Sequence, residues 1–483
     1  MKKQSTMLAM LLSAAALNFS CTQVDNPIAD ETTIELDGQK YRVGSVATLV
    51  GTPGTELSLT LGVYDRFDIY GVDFGDGVIV TDTVCFENGG LRDEEGLTVE
   101  GTTHQSSTVF KGTVAGDGNV LIYGNSDLWL LGISGDAMPT SFTGEKVKNI
   151  VNLSISSANI ESLDLSDLEI LKSVSVSNTP LRSINLAGNP ELTSVSIINT
   201  SVSAYEPQLQ SIDLSKNLKL TSVSLGSSFY KQGQLTSIDL SANTELETIV
   251  VGNNKLQSIV LPEGANVSQL SLEMNELESL DLSKLGSLKN LQVNNNKLTS
   301  LDLSKMVDAN SITVNVSNNQ IEELNVPVAV RTLEAQNNKL KKVSVVDATY
   351  SCKLENNQLT LATLPAKPAG LNTTAKIKRF TYAPQAALEV PAEVAELDLS
   401  DQLSAVGIEA EAKTTAFSFV TASGANLVEG TDYEVTAPGK FKFTKAQSEK
   451  VHGVLSNEAL PLFADDKAFV TTEFTVKVGG AGN

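Results

Sequence analysis

The stretch LQVNNNKLTSLDLSK, residues 291–305, decides the fold, and Asn296 is the residue in it that needs explaining. Leu291 and Val293 alternate with polar neighbours, as one face of a half-buried strand does, and Leu298, Leu301 and Leu303 carry the apolar series onward. Asn296 falls between these apolar positions. Either it belongs to a polar site that does chemistry, or the backbone around it needs a side-chain amide.

Repetition decides between the two. The order L-x-x-L-x-L-x-x-N-x-L-x-x-L-D-L-S returns as LETIVVGNNKLQSIVLP (246–262), VSQLSLEMNELESLDLS (267–283) and LKNLQVNNNKLTSLDLS (288–304). Looser copies follow as ITVNVSNNQIEELNV (312–326), LEAQNNKLKKVSV (333–345) and CKLENNQL (352–359). The first apolar residue of each short strand falls at Leu153, Val174, Val195, Val223, Ile249, Leu270, Leu291, Val314, Leu333 and Cys352. Successive spacings are 21, 21, 28, 26, 21, 21, 23, 19 and 19 residues, which makes ten rungs. One rung cannot bury its aliphatic face alone, so rungs must stack. The pattern resembles the leucine-rich repeat family, in the short variety found in bacterial surface proteins similar to internalins. The resemblance implies a solenoid with a parallel sheet, one strand per rung.

Asn254, Asn275, Asn296, Asn319, Asn338 and Asn357 share one column, five residues after the first strand position. Where the chain leaves the strand and turns inward, its N–H and C=O groups lose their ladder partners and cannot reach water. An inward amide can donate to one carbonyl and accept from one N–H in adjacent coils. Each such bond left unmade costs about 1–3 kcal/mol. Thr179 and Thr200 occupy the column in early rungs, where a hydroxyl is expected to make part of the same set. The column reads as architecture. In the second half of the coil, LDLS at 163–166, 280–283 and 301–304 and IDLS at 212–215 and 238–241 place Asp and Ser where they accept hydrogen bonds from the following turn. Asn185, Val260, Asn325 and Ser344 interrupt this Asp column, which argues against a metal ladder.

Outside the repeats the alternation persists without the period. Residues 33–126 carry strands such as TIELDGQKYRVG, ELSLTLGVY and NVLIYGN, and YGVDFGDG (70–77) resembles the W-D-F-G-D-G motif of PKD domains, which implies a β-sandwich. Asp73 and Asp76 in that motif read as turn-formers in a Gly-rich stretch, and no metal is expected there. LWLLGISGDAM (128–138) has the strand spacing at Leu131 and Ile133, so residues 127–150 are expected to cap the solenoid at 151–372, with Trp129 in a capping or domain-joining position. Residues 373–483 alternate again, with a turn at Ala437-Pro438-Gly439, and read as a second, loosely immunoglobulin-like β-sandwich. The expected fold is therefore mainly β: a leucine-rich repeat solenoid flanked by an N-terminal and a C-terminal sandwich.

The N-terminus reads as an export signal. Lys2 and Lys3, an apolar run from Met7 to Leu17 and a small residue before Cys21 make residues 1–20 a secretory signal peptide, followed by a linker over 21–32. Cys21 there resembles the lipid-acceptor cysteine of bacterial lipoproteins of the Bacteroides group, although Asn18 replaces the usual aliphatic residue. The resemblance implies a lipid anchor at the outer membrane, facing outward, with ordinary secretion as the alternative. Cys85 and Cys352 lie in different segments and do not make a disulfide framework.

With 57 acidic against 35 basic residues the net charge is −22, and no Lys/Arg run gathers on any stretch, which argues against a nucleic-acid partner. The two histidines, His104 and His452, lie in different flanks, and no nucleophile motif, zinc motif or phosphate loop is present. No catalytic residue and no cofactor are expected, and a binding role follows more naturally than an enzymatic one. The outward strand positions Ser154, Ser175, Ser196 and Ser224, then Gln292, Asn315, Glu334 and Lys353, form a small polar face. The two long rungs carry their extra residues just after the strand, INTSVSAYEPQ and GSSFYKQGQ, and should raise Tyr205, Phe229 and Tyr230 side by side. Those aromatics either anchor a ligand, protein or glycan, or pack on each other or a flank. Two function classes stay open: a surface adhesion or binding lipoprotein recognising a host or bacterial protein or glycan, and a structural spacer or assembly component. A glycan-processing accessory role is a weaker third.

Overall fold

The structure, a computed structural model, describes residues 31–36, 39–62, 67–85, 107–124, 128–135, 141–143, 150–200, 203–227, 231–306, 312–368, 371, 380–406, 411–460 and 469–478. The signal segment, Cys21, His104, Phe229 and Tyr230 lie outside the described residues.

The ten rungs pair as the spacing predicts. Leu153 lies opposite Val174, Val174 opposite Val195, Val195 opposite Val223, and Val223 opposite Ile249, all in parallel register. The same column continues through Leu270, Leu291, Val314, Leu333 and Cys352. These residues are buried because a period of two turns every second side chain inward, and stacked coils give that face a continuous aliphatic core. The fold is a leucine-rich repeat solenoid, and the only helical element among the described residues is a short 3-10 turn, Ser400–Gln402. No helix among the described residues is long and apolar enough to cross a membrane.

The sheet does not stop at the repeats. Strand Leu130–Ser134 pairs in parallel with Asn152–Ser156, as the spacing of Leu131 and Ile133 predicts. Its other edge takes Glu56–Gly62 antiparallel, which in turn pairs with Ser107–Thr113. At the far end Phe380–Thr381 adds one more parallel strand beside Cys352 and Lys353, an extra rung beyond those visible in the sequence. The result is a single sheet of fourteen strands among the described residues.

The N-terminal segment adds a second sheet of five strands, Glu31–Leu36, Gln39–Val50, Asn119–Gly124, Phe67–Asp73 and Ile79–Cys85 in spatial order. Leu57, Leu59 and Leu61 from the first sheet and Tyr70, Val72, Val120 and Ile122 from the second belong to one buried core. Phe74 lies flat against Gly112, where any β-carbon would strike its ring. In the turn that follows Phe74, Asp73 Oδ1 accepts from the amides of Gly75 (2.8 Å) and Gly77 (3.1 Å), and Asp76 Oδ1 accepts from Val78 (2.9 Å).

The C-terminal segment is built around Phe419, which meets Tyr433, Phe441 and Phe443 edge-on at 5.0, 4.9 and 5.1 Å between centroids. Strands Ala416–Thr421, Val451–Ser456 and Phe469–Val470 form one sheet, and Glu396–Asp398, Lys440–Phe443 and Tyr433–Ala437 another. The turn at Ala437-Pro438-Gly439 joins two of them, with Gly439 at φ 71°.

Candidate ligand-binding notch on the solenoid face

Repeated side-chain columns run from coil to coil along the solenoid. The innermost is the asparagine column. Asn296 Oδ1 accepts from the amide of Leu277 (3.0 Å) in the preceding coil, and its Nδ2 donates to Leu272 O (2.9 Å) and Val293 O (3.1 Å). Asn275, Asn319, Asn338 and Asn357 repeat the same three bonds. Asn254 departs slightly, with a longer accepting bond, 3.3 Å from Leu235 N, and with donated bonds to Leu225 O (3.2 Å) and Gly252 O (3.1 Å). All six are buried. In the last rung Gln385 takes the position, accepting from Leu359 N (3.1 Å) and donating to Leu354 O (2.8 Å) and Tyr382 O (2.6 Å).

The early rungs differ from the expectation for Thr179 and Thr200. Asn199, one residue earlier in its coil, accepts from Thr179 N (3.2 Å) and donates to Thr179 O (3.0 Å). The Thr200 hydroxyl donates to the Asn178 side chain instead of a carbonyl. A longer strand in this rung, Ser194–Asn199, displaces the amide by one position. A second buried column, Asn189, Asn217 and Asn243, was not anticipated; each Nδ2 donates to two backbone carbonyls of the preceding coil. Its trace in the sequence is L-x-x-N-x-x-L, in LAGNPEL, LSKNLKL and LSANTEL.

The Asp column forms turns. Asp164, Asp213, Asp239, Asp281 and Asp302 each accept from the amide two residues on, at 2.8–3.2 Å. Hydroxyl and amide hydrogen bonds from that serine hold each carboxyl below the usual carboxylate range. No group of three His, Cys, Asp or Glu residues is placed to hold a metal among the described residues.

In eight of the ten rungs the fourth residue past the first strand position is a tight turn in the left-handed region; the exceptions are the two long rungs, at Asn199 and Ser227. Asn178, Asn253, Asn295, Asn318, Asn337 and Asn356 have φ between 51° and 59° there, a conformation asparagine tolerates. Met274, at φ 59°, is the long apolar side chain in the series.

The outward face carries a further irregularity. Ser154, Ser175, Ser196 and Ser224 align in register as predicted, and Val250 and Ser271 complete the column to Gln292, Asn315, Glu334 and Lys353. Two residues further along each strand, the next outward column reads Ile198, Gly226, Gly252, Glu273 and Asn294. Two successive coils therefore lack a side chain. A β-carbon on Gly226 would sit 2.6 Å from Gly252 O, and one on Gly252 would sit 2.8 Å from Glu273 Oε1. The gap is a cavity of about 220 Å³ whose walls are Ile198, Ser224, Val250, Asn253, Met274 and Glu273. Glu273 Oε2 is closed off from solvent there and accepts no hydrogen bond among the described residues.

Both long rungs border this notch. Lys231, in the second insertion, donates to Ser203 O (2.7 Å) and Tyr205 O (3.1 Å) in the first and pairs with Glu206 at 3.1 Å. The two insertions are thus side by side, as their consecutive placement predicts. Asn253 Nδ2 donates to Lys231 O at 3.2 Å and ties the second insertion to the notch wall. Tyr205 is half-buried and engaged; the other two aromatics of the insertions, Phe229 and Tyr230, lie outside the described residues.

No known family model matches the chain, and no curated protein matches it. Among solved structures it is similar to the functional domain of InlJ from Listeria monocytogenes, which includes a cysteine ladder, at 15% sequence identity. The match covers 71% of this chain and 85% of that one, with a TM-score of 0.33.

Proposed function

We propose that the chain is a non-enzymatic surface protein that binds a macromolecular partner through the outward face of its solenoid, at the notch beside the two long rungs. The observation that carries this reading is the coincidence of three departures at one place: two missing outward side chains, a carboxylate oxygen without a partner, and both insertions. Buried acceptors without a partner also occur at Asn189, Asn217, Asn243 and Gln336, but those are neutral amide oxygens, whereas the notch sets a carboxylate oxygen there, which costs more to leave without a donor. The signal-like N-terminus and Cys21 support export and lipid anchoring at a bacterial outer membrane, and Tyr205, Phe229 and Tyr230 belong to the two insertions next to the contact in sequence. The PKD-like and immunoglobulin-like flanks over 33–126 and 373–483 fit the role of presenting the solenoid.

A glycan and extracellular-protein array probed with the purified chain tests this. A saturable hit that Gly252→Leu removes, with melting temperature kept, supports it. A hit that survives both Gly252→Leu and the triple Ala replacement of Tyr205, Phe229 and Tyr230 overturns it. One observation favours the second reading, a spacer or assembly component: the fourteen-stranded sheet runs without a break from the N-terminal strands Ser107–Thr113 and Glu56–Gly62 to the last rung, Phe380–Thr381. Absence of any hit across broad panels favours that reading.

A further inference from the structure

We propose, resting on the binding surface just described, that the notch receives one basic side chain, arginine or lysine, from a protein partner. The argument starts with the neighbours of Glu273. Several glutamates elsewhere on the solenoid are matched one coil away by lysine, Glu276 with Lys297 (2.9 Å), Glu322 with Lys341 (3.0 Å) and Glu334 with Lys353 (2.7 Å), and Glu355, in the column of Glu273, accepts from the Thr381 hydroxyl (2.7 Å). In the column of Glu273 the flanking residues are Gly252 and Asn294, and no wall of the notch is basic. Asn189, Asn217, Asn243 and Gln336 also leave an oxygen buried without a donor, but each is a neutral amide; Glu273 puts a carboxylate oxygen in that situation, the group for which a missing donor costs most.

The shape fits an amphipathic guest. Coils stack about 4.8 Å apart, so two absent side chains open a slot roughly 10 Å long between Ile198 and Glu273. Ile198 and Met274 offer apolar contact for a methylene stem, the glycine backbones let it lie close, and the charged head then reaches Glu273. Met274 holds the left-handed turn beside the slot where asparagine stands in the next four coils, a costlier choice that keeps an apolar wall. The net charge of −22 favours a cationic partner over an anionic one.

The test titrates the full chain with Ac-Gly-Ser-Arg-Ser-Gly-amide, its lysine form, its citrulline form, and methyl β-glucoside as a sugar probe. The arginine or lysine peptide should bind at least about tenfold more tightly than the citrulline peptide, and high salt should weaken it. Glu273→Gln should bring the basic peptide down to the citrulline level. Gly252→Leu, whose side chain displaces only the far end of Glu273, should abolish binding with the melting temperature kept. Equal affinity for the charged and neutral peptides, or none for any peptide at about 10 mM, overturns the assignment. So does glucoside binding that Gly252→Leu removes, which hands the slot to a glycan. The citrulline comparison needs no variant and is immune to folding defects. If an array partner is lost in Gly252→Leu while the basic peptides stay inert, the binding surface stands and this assignment falls; if neither is seen, both fall.

Discussion

Replacing Asn296 by alanine puts the asparagine column to a quantitative test. The substitution deprives Leu277 N–H of its acceptor, and that amide sits in a coil whose Leu277 side chain is fully buried. An orphaned buried donor costs about 1–3 kcal/mol. Leu272 O and Val293 O each lose one bond but keep another, from Asn275 Nδ2 and Asn319 Nδ2. Those two losses add about 0.5–1.5 kcal/mol apiece, so the whole change should destabilise by about 4 kcal/mol. Because stability in a repeat array is local, hydrogen exchange at single amides is a sharper readout than a global melt. Leu277 N–H should lose most of its protection, whereas Leu298 N–H, held by Asn319 Oδ1 at 3.0 Å, should keep its own. Asn294→Ala, at a half-buried position outside the column, serves as the control and should stay within about 0.5 kcal/mol. A loss under about 1 kcal/mol for Asn296→Ala with Leu277 still protected would refute the reasoning, because the amide would then not be what closes the backbone.

Three other outcomes follow from the same geometry. Met274→Asn should raise stability by about 1 kcal/mol in denaturant titration by relieving the left-handed turn, and a loss would mean that the methionine packs better than the turn suffers. The Asp column has folded-state carboxyls held low by serine hydrogen bonds, so its contribution is present above the ordinary carboxylate pKa and is lost as pH falls through the lowered values. Melting temperature should accordingly hold from neutral pH down to about 4 and drop below it, and Asp281→Asn with Asp302→Asn should flatten that drop. The thiol of Cys352 is pushed up to about 12 by burial, with Glu355 adding to the shift, so in a chain with Cys21 and Cys85 changed to Ser it should resist iodoacetamide until denaturant is added.

The parts of this molecule that obey a period were legible, and the parts defined by exceptions were not. Leu153 through Cys352 fixed ten strands and their register, since any single slip would have turned the aliphatic set outward. The Asn254-to-Asn357 column was readable because a buried turn needs an amide wherever the ladder ends. Asn189, Asn217 and Asn243 were hidden because L-x-x-N in a turn looks like ordinary turn composition. Gln385 escaped because its strand follows Cys352 by 28 residues and because one extra methylene changes the letter without changing the bonds. The antiparallel pairing of Glu56–Gly62 with Leu130–Ser134 joins segments far apart in sequence, and such pairings leave no local pattern. The broken rungs were legible as a place to look. The notch was not, because Gly226 and Gly252 acquire meaning only after the register puts them in one outward column beside Glu273.

The unbroken sheet has a mechanical consequence. Its hydrogen bonds run along the stacking direction, so tension applied between the two flanks loads them one after another, as in peeling tape. Each released coil of about 20 residues would pay out roughly 70 Å of chain. Such a solenoid would yield in small successive steps under pull and recover when the pull ceases, a compliant tether in place of a brittle one.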